Sequence, residues 1–222
     1  MPSSTQQPRT ALLLIDIQEG FKYPNHWGPS RSNPSFEGNI TSLLPLYRDL
    51  ISSTDSPSQP SPHKIIHIAH GSKSIDSPLH PSKPSFAFQS FAKPLPHEPV
   101  ITKNVNSAFI GTNLEEVLRA HFDGQPGTLW AVGLTTDHCV STTVRMAGNL
   151  GVCDGRGGEK GEVILVEDAT ACWKKNEEFP FDAETIHAVH VDSLREFASI
   201  AKTGEVETLW REWTSGEKSE AV

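Results

Sequence analysis

The chain has 222 residues, 36% of them hydrophobic, and carries a formal net charge of −8 at pH 7. That length can bury one sizeable core, and the acidic balance argues against a phosphate-backbone partner, which needs clustered Lys and Arg. The three cysteines, Cys139, Cys153 and Cys172, form no spaced framework, so they fit a reducing compartment better than a disulfide scaffold.

Residues 1–9 hold no apolar signal core and read as a loose tail. Ala11–Ile15 (ALLLI) is a continuous apolar run ending at Asp16. It is far too short to span a membrane, and its pattern suits a strand buried on both faces of a parallel sheet. The expectation is a soluble cytoplasmic protein, with no membrane and no nucleic-acid partner. Residues 21–36 form a loop rich in Pro, Asn and Gly that carries Trp27. Residues 39–51 read as a helix with Ile40, Leu43, Leu44, Tyr47 and Leu50 on one face, interrupted by Pro45. Residues 52–62 are of low complexity and read as a loop.

Residues 64–69 (KIIHIA) predict a second strand, followed by a long loop, 70–99, rich in Pro and Ser; loops of that length are usually functional or disordered. Val100–Thr102 is a short third strand with Lys103 behind it. Thr112-Asn-Leu-Glu115 is a capping-box pattern opening a helix to about Phe122. Thr128–Val132 predicts a fourth strand, and Val140–Ala147 can continue as a helix, which puts Cys139 at the turn between them. A thiol in the first turn of a helix, near the positive end of its dipole, is pushed towards thiolate. A fifth strand follows at 162–166. A helix at 183–198 should face inward with Ile186, Val189, Leu194 and Phe197. A last strand at 199–201 and a helix at 206–213 complete a single domain, 1–222. Strand and helix alternate throughout, so the fold class is α/β, a doubly wound, mostly parallel sheet with helices on both faces.

Asp16 ends strand one, Lys103 follows strand three and Cys139 follows strand four. All three fall at the carboxyl edge of the sheet, where open parallel sheets bind ligands. A cysteine nucleophile needs a proton acceptor, which a carboxylate provides, and an ammonium nearby stabilises both anions.

LLLIDIQEGF (12–21), ITKNVNSAFIGTNLEEVLR (101–119), GLTTDHCVSTTVRMAGNLG (133–151), EDATA (167–171) and the helix bearing His187 together resemble the isochorismatase-like cysteine hydrolases. Nicotinamidases, N-carbamoylsarcosine amidases and ureidoacrylate or biuret amidohydrolases belong to that family. The resemblance implies six strands in the order 3-2-1-4-5-6 and a homo-oligomer. It implies a triad of Asp16 as base and acid, Lys103 as electrostatic support and Cys139 as nucleophile. It also implies a cis bond between Leu134 and Thr135, and an oxyanion hole from the N–H groups of Thr135 and Cys139. The activity implied is hydrolysis of a small amide, imide or ureide through a thioester. Hydrolysis of the vinyl ether isochorismate is the alternative, and a non-catalytic binding or effector module is a third. Phe21, Trp27 and Phe109 are candidates for an aromatic wall around the substrate.

One feature departs from the nicotinamidase pattern, a metal-binding Asp-x-His followed by another His after strand two. Here that region reads HIAHGSKSIDSPLHP (67–81). His67 and His70, three apart, should face opposite ways, and Asp76 and His80 do not match the pattern. No metal and no cofactor are expected. Asp137 is expected to cap the turn, His138 to point away from the thiol, and Arg145 to form a structural salt bridge.

Overall fold

The computed structural model describes residues 8–23, 26–56 and 60–215; of the expected tail, 1–9, residues 1–7 lie outside them, and Arg9 already opens the first strand. β1 (Arg9–Ile15) lies at the centre of a six-stranded sheet with β3 (His63–His70), β4 (Val100–Lys103), β5 (Gly127–Leu134), β6 (Glu162–Ala171) and β8 (Ser199–Ala201). The order is β4-β3-β1-β5-β6-β8, and all pairings in it are parallel. Counting only these six strands, this is the implied order 3-2-1-4-5-6. β2 (Ser30–Arg31) and β7 (Trp173–Lys174), absent from the sequence reading, form a separate antiparallel ribbon that joins the segment after β1 to the segment after β6.

The continuous apolar run of β1 is explained by burial on both sides. Successive side chains of a strand point to opposite faces. Ala11, Leu13 and Ile15 therefore enter one core with α2 (Leu114–Phe122), α3 (Ser141–Leu150) and α4 (Ala183–Leu194). Leu12 and Leu14 enter another with α1 (Phe36–Thr54) and α5 (Thr203–Ser215).

Several local expectations are corrected. α1 runs unbroken through Pro45. Pro45 is exposed, so the carbonyl left without a donor one turn earlier can turn to water. The capping box at Thr112 does not form. The Thr112 hydroxyl accepts from the N–H of Leu114, and Glu115 pairs instead with Arg119 at 2.8 Å. α4 is rotated from the expected face: Ala183, His187, Val191 and Leu194 are buried, whereas Val189 is 62% exposed. The polar His187 turns inward because its ring finds partners there, Thr136 Oγ1 at 2.9 Å and Asn33 Nδ2 at 3.2 Å.

The long segment 70–99 is tied down to β1. The Gln18 side chain accepts from the N–H of His70 at 2.8 Å and donates to the carbonyl of Phe86 at 2.8 Å. Gln89 donates back to the carbonyl of Gln18 at 3.0 Å. The EDATA stretch lies where β6 shifts register against β5. Its freed carbonyls are taken by side-chain amides, those of Glu167 and Thr170 by Asn33 and that of Asp168 by Asn39.

At the amino end of the sheet, Thr10 collects the Tyr47 hydroxyl at 2.6 Å and His63 Nδ1 at 2.7 Å, and its carbonyl accepts from His121 at 2.9 Å. Burial pushes both histidines down to about 4. Between pH 4 and the ordinary value of about 6.5 the unfolded chain therefore binds protons that the fold refuses, so stability falls as pH falls. Urea unfolding should show this loss across the window, roughly 3 kcal/mol per histidine at its acid end. His121→Gln should make the dependence shallower.

Candidate active site

The chain runs from β1 outward to β3 and β4, then returns to β5 on the other side of β1. The topological switch lies between β1 and β5, and their carboxyl ends deliver Asp16 and Cys139. Asp16 leaves the strand in the left-handed region, φ 53°. This bend is stabilised by its N–H, which donates to the carbonyl of Ile68 at 3.0 Å. Beside it only a glycine fits at position 133. Its φ is 122°, and a Cβ there would stand 2.1 Å from the carbonyl oxygen of Ile15.

Cys139 does not open a regular helix. Thr136–Val140 is a π-turn that runs into α3, and the peptide bond between Leu134 and Thr135 is cis. Lys103 is the last residue of β4 rather than a residue beyond it, and pairs in register with His70, the last of β3. From that edge strand its side chain reaches across β3 to the end of β1.

The ammonium of Lys103 is the centre of the site. Nζ lies 2.6 Å from Asp16 Oδ2, 3.0 Å from His70 Nδ1 and 3.3 Å from Cys139 Sγ. Asp16 and Lys103 have no exposed side-chain surface. Three N–H groups meet three acceptors, and an ammonium has no lone pair to give. His70 Nδ1 must therefore be the acceptor, and the neutral ring carries its proton on Nε2. Burial and the Lys103 charge both lower the His70 pKa, opposed by Asp16. The donor atoms of Asp16, His70 and Cys139 lie within 4.8 Å of one another, close enough to hold a metal ion. The cation they share in this arrangement is the ammonium. The other oxygen, Asp16 Oδ1, is buried with no hydrogen-bond partner among the described residues.

Burial, reinforced by the Asp16 charge, pushes the Cys139 thiol well above its ordinary range, and Lys103 only partly offsets this. That corrects the expectation of a thiolate favoured by a helix dipole. A lone thiolate would add a second negative charge to a buried, balanced pair, and desolvation disfavours that.

The thiol opens on a cavity of about 190 Å³ lined by Phe21, Trp27, Leu79, Asn106, Thr135 and His138, with His70 and Lys175. Phe21 stacks on Trp27 at 4.5 Å and on Trp173 at 5.7 Å. Phe109 is not among the lining residues; it packs in the core shared with α2 and α3. Among the described residues no hydrogen bond joins the thiol to His138, which lines this cavity as well. Asp137 Oδ2 holds it at 2.8 Å and Lys175 at 3.5 Å. Arg145 forms no ion pair among the described residues; it bonds Ser193 and lies over the Phe197 ring.

The histidines within and beyond β3 have separate roles. His67 is buried against Glu98 at 2.9 Å, and His80 bonds Ser82. His70 was not singled out as a partner of the triad, nor was Asn106, whose Oδ1 lies 3.9 Å from the thiol. A signal for His70 was present, because the last residue of β3 ends at the same sheet edge as the other three.

A family model described as the isochorismatase domain matches residues 10–198. Among curated proteins the chain is 37% identical over 203 residues to YrdC of Bacillus subtilis (strain 168), an uncharacterized isochorismatase family protein. That match covers 90% of this chain and 95% of the relative. YddQ of the same organism, described in the same words, is 27% identical over 88% of this chain and 97% of its own. Among solved structures, an isochorismatase-family protein from Chromobacterium violaceum superposes with a TM-score of 0.75 at 32% identity, covering 96% of this chain and 98% of that one. A cysteine hydrolase from Pseudomonas syringae pv. phaseolicola shares the fold at 20% identity, with a TM-score of 0.72 and coverage of 94% and 97%.

The charges around the thiol make opposite predictions for two variants. Lys103→Ala removes the cation and should raise the Cys139 pKa further. Asp16→Asn removes the repelling anion and should lower it. The pH dependence of iodoacetamide labelling at Cys139, read by mass spectrometry, measures both. Equal shifts of one sign would mean that the two charges do not act on the thiol as the distances require.

Proposed function

Because the chain belongs to the isochorismatase family, we propose that it is a cysteine-dependent hydrolase of a small amide, imide or ureide. The observation that carries this reading is the single ammonium touching Asp16, His70 and Cys139 at the wall of a small cavity.

The chemistry follows from charge balance. Moving the thiol proton to Asp16 converts carboxylate and thiol into acid and thiolate. The net charge of the buried group is unchanged, so the desolvation cost that suppresses simple ionisation is avoided. The unpartnered Oδ1 of Asp16 is the open acceptor. The sulfur attacks the substrate carbonyl, and the oxyanion is received by the N–H groups of Thr135 and Cys139. As the C–N bond breaks, Asp16 returns its proton to the departing nitrogen and a thioester remains. Water then attacks the thioester, giving one proton to Asp16. The acid leaves, and the thiol is restored with that proton. Throughout, Lys103 holds its three partners in register, and neutral His70 keeps an Nε2–H available to an acceptor on the substrate.

Vinyl-ether hydrolysis requires no acyl transfer to sulfur, so a thiol placed against a base favours amide chemistry. Cys139→Ala should keep the fold and lower turnover by at least about 10³-fold, because it removes the covalent route. An ammonia-release screen over small carboxamides, imides and ureides, with pyruvate release from isochorismate as the counter-assay, measures this. A mass shift on Cys139 after rapid acid quench would be the trapped acyl-enzyme. Full activity in the alanine variant, or pyruvate as the sole product, would sink the reading.

A further inference from the structure

Beside the catalytic cavity lies a larger groove of about 400 Å³. Its sides are Trp173 from β7, Phe179 and Phe181 from the segment after it, and Ile186 and Val189 from α4. Phe179 and Phe181 meet edge to face at 5.7 Å. Phe181 and Val189 are 54% and 62% exposed, and apolar surface gathered in a concavity marks a binding site more often than chance.

Two residues belong to both spaces. His138 and Lys175 line the cavity at the thiol and also the groove. One carboxylate oxygen, Asp137 Oδ2, grips both of them, and the Asp137 side chain is 5% exposed. Burial pushes Asp137 up, but hydrogen bonds from His138 and Thr135 and the charge of Lys175 outweigh it, so the carboxyl stays ionised. The groove therefore shares a short polar wall with the cavity at the thiol and has apolar walls beyond it.

We infer that this groove is a substrate subsite. It takes an aryl or branched-alkyl substituent of a molecule whose carbonyl lies against Cys139. The inference rests on the proposed thiol chemistry for its substrate class, carboxamides with an apolar tail on a short linker. The cavity at Cys139 is small, and the shared polar wall gives a hydrogen-bonding station between carbonyl and tail. His138 and Lys175 line both spaces, so the groove adjoins the cavity at the thiol, which favours the substrate's own tail over a second protein chain as occupant.

The test separates groove from chemistry by using alkylation. Rates of Cys139 modification by iodoacetamide and by N-(2-phenylethyl)iodoacetamide, each normalised to glutathione, are compared in the full-length protein. The wild type should favour the phenylethyl reagent by roughly tenfold, with saturation, as expected for an aromatic group gaining a pocket. Phe181→Ala and the exposed-site variant Val189→Asp should bring the ratio near one, with the iodoacetamide rate unchanged. In amide turnover the same variants should raise KM for 3-phenylpropanamide over propanamide with kcat preserved. A preference that survives while no amide is hydrolysed keeps the subsite and removes the amidohydrolase reading. Equal normalised rates in the wild type overturn the subsite. So does a loss of solution mass in Val189→Asp by light scattering with the preference intact, which would assign the groove to a second copy.

Discussion

The buried contact between Lys103 and Asp16 is the constraint on which the site depends. Two charges with no exposed side-chain surface cost several kcal/mol each to desolvate, and their attraction repays this only with good geometry and full hydrogen bonding. Here the geometry comes from the sheet. Parallel register sets Lys103 beside His70, and β3 lies beside β1, so His70 at the end of β3 and Asp16 just past β1 meet the Lys103 ammonium. The thiol becomes the third acceptor because β5 is the other neighbour of β1. In this chain the fold thus surrounds one ammonium with one carboxylate, one imidazole and one thiol.

That arrangement, with its burial and the Asp16 charge, also holds the thiol pKa well above its ordinary range. A buried neutral pair resists any added charge but allows charge to move within it. Proton transfer between Cys139 and Asp16, as in the proposed mechanism, is such a movement. The π-turn at Thr136–Val140, just after the cis bond, carries Cys139 to the wall of the cavity. Gly133, pressed against Ile15, keeps the two strands close enough for Asp16 and Cys139 to share one cation.

Around this centre, side-chain amides do work that regular secondary structure cannot. Gln18 and Gln89 bind the long segment after β3 to the exit of β1, and Asn33 and Asn39 satisfy the carbonyls freed where β6 shifts. A buried backbone group left unpaired is costly, so these amides are what allow irregular chain to be buried near the site. The β2–β7 ribbon sets Trp173 beside Phe21, and the Phe21–Trp27–Trp173 cluster joins the cavity wall to the neighbouring groove.

Much of this was legible in the chain itself. The unbroken apolar runs of β1 and β3 announced strands covered on both faces, and alternation with helices announced a doubly wound sheet. Asp16, Lys103 and Cys139 stood out because each ends or follows such a run, and strand ends are a local property. The face of α4 was misread because its buried polar residue, His187, is turned inward by partners on other elements, leaving Val189 outside. The roles of His70, Asn106 and Lys175, and the groove beside the cavity, depended in the same way on contacts between distant segments. Hydrophobic periodicity encodes which residues avoid water and where a strand must stop, so the sequence alone determined the elements and the reactive side chains at their ends. Which of those side chains share a proton, a cation or a wall is set by packing and register across the sheet, and only the tertiary structure decided that.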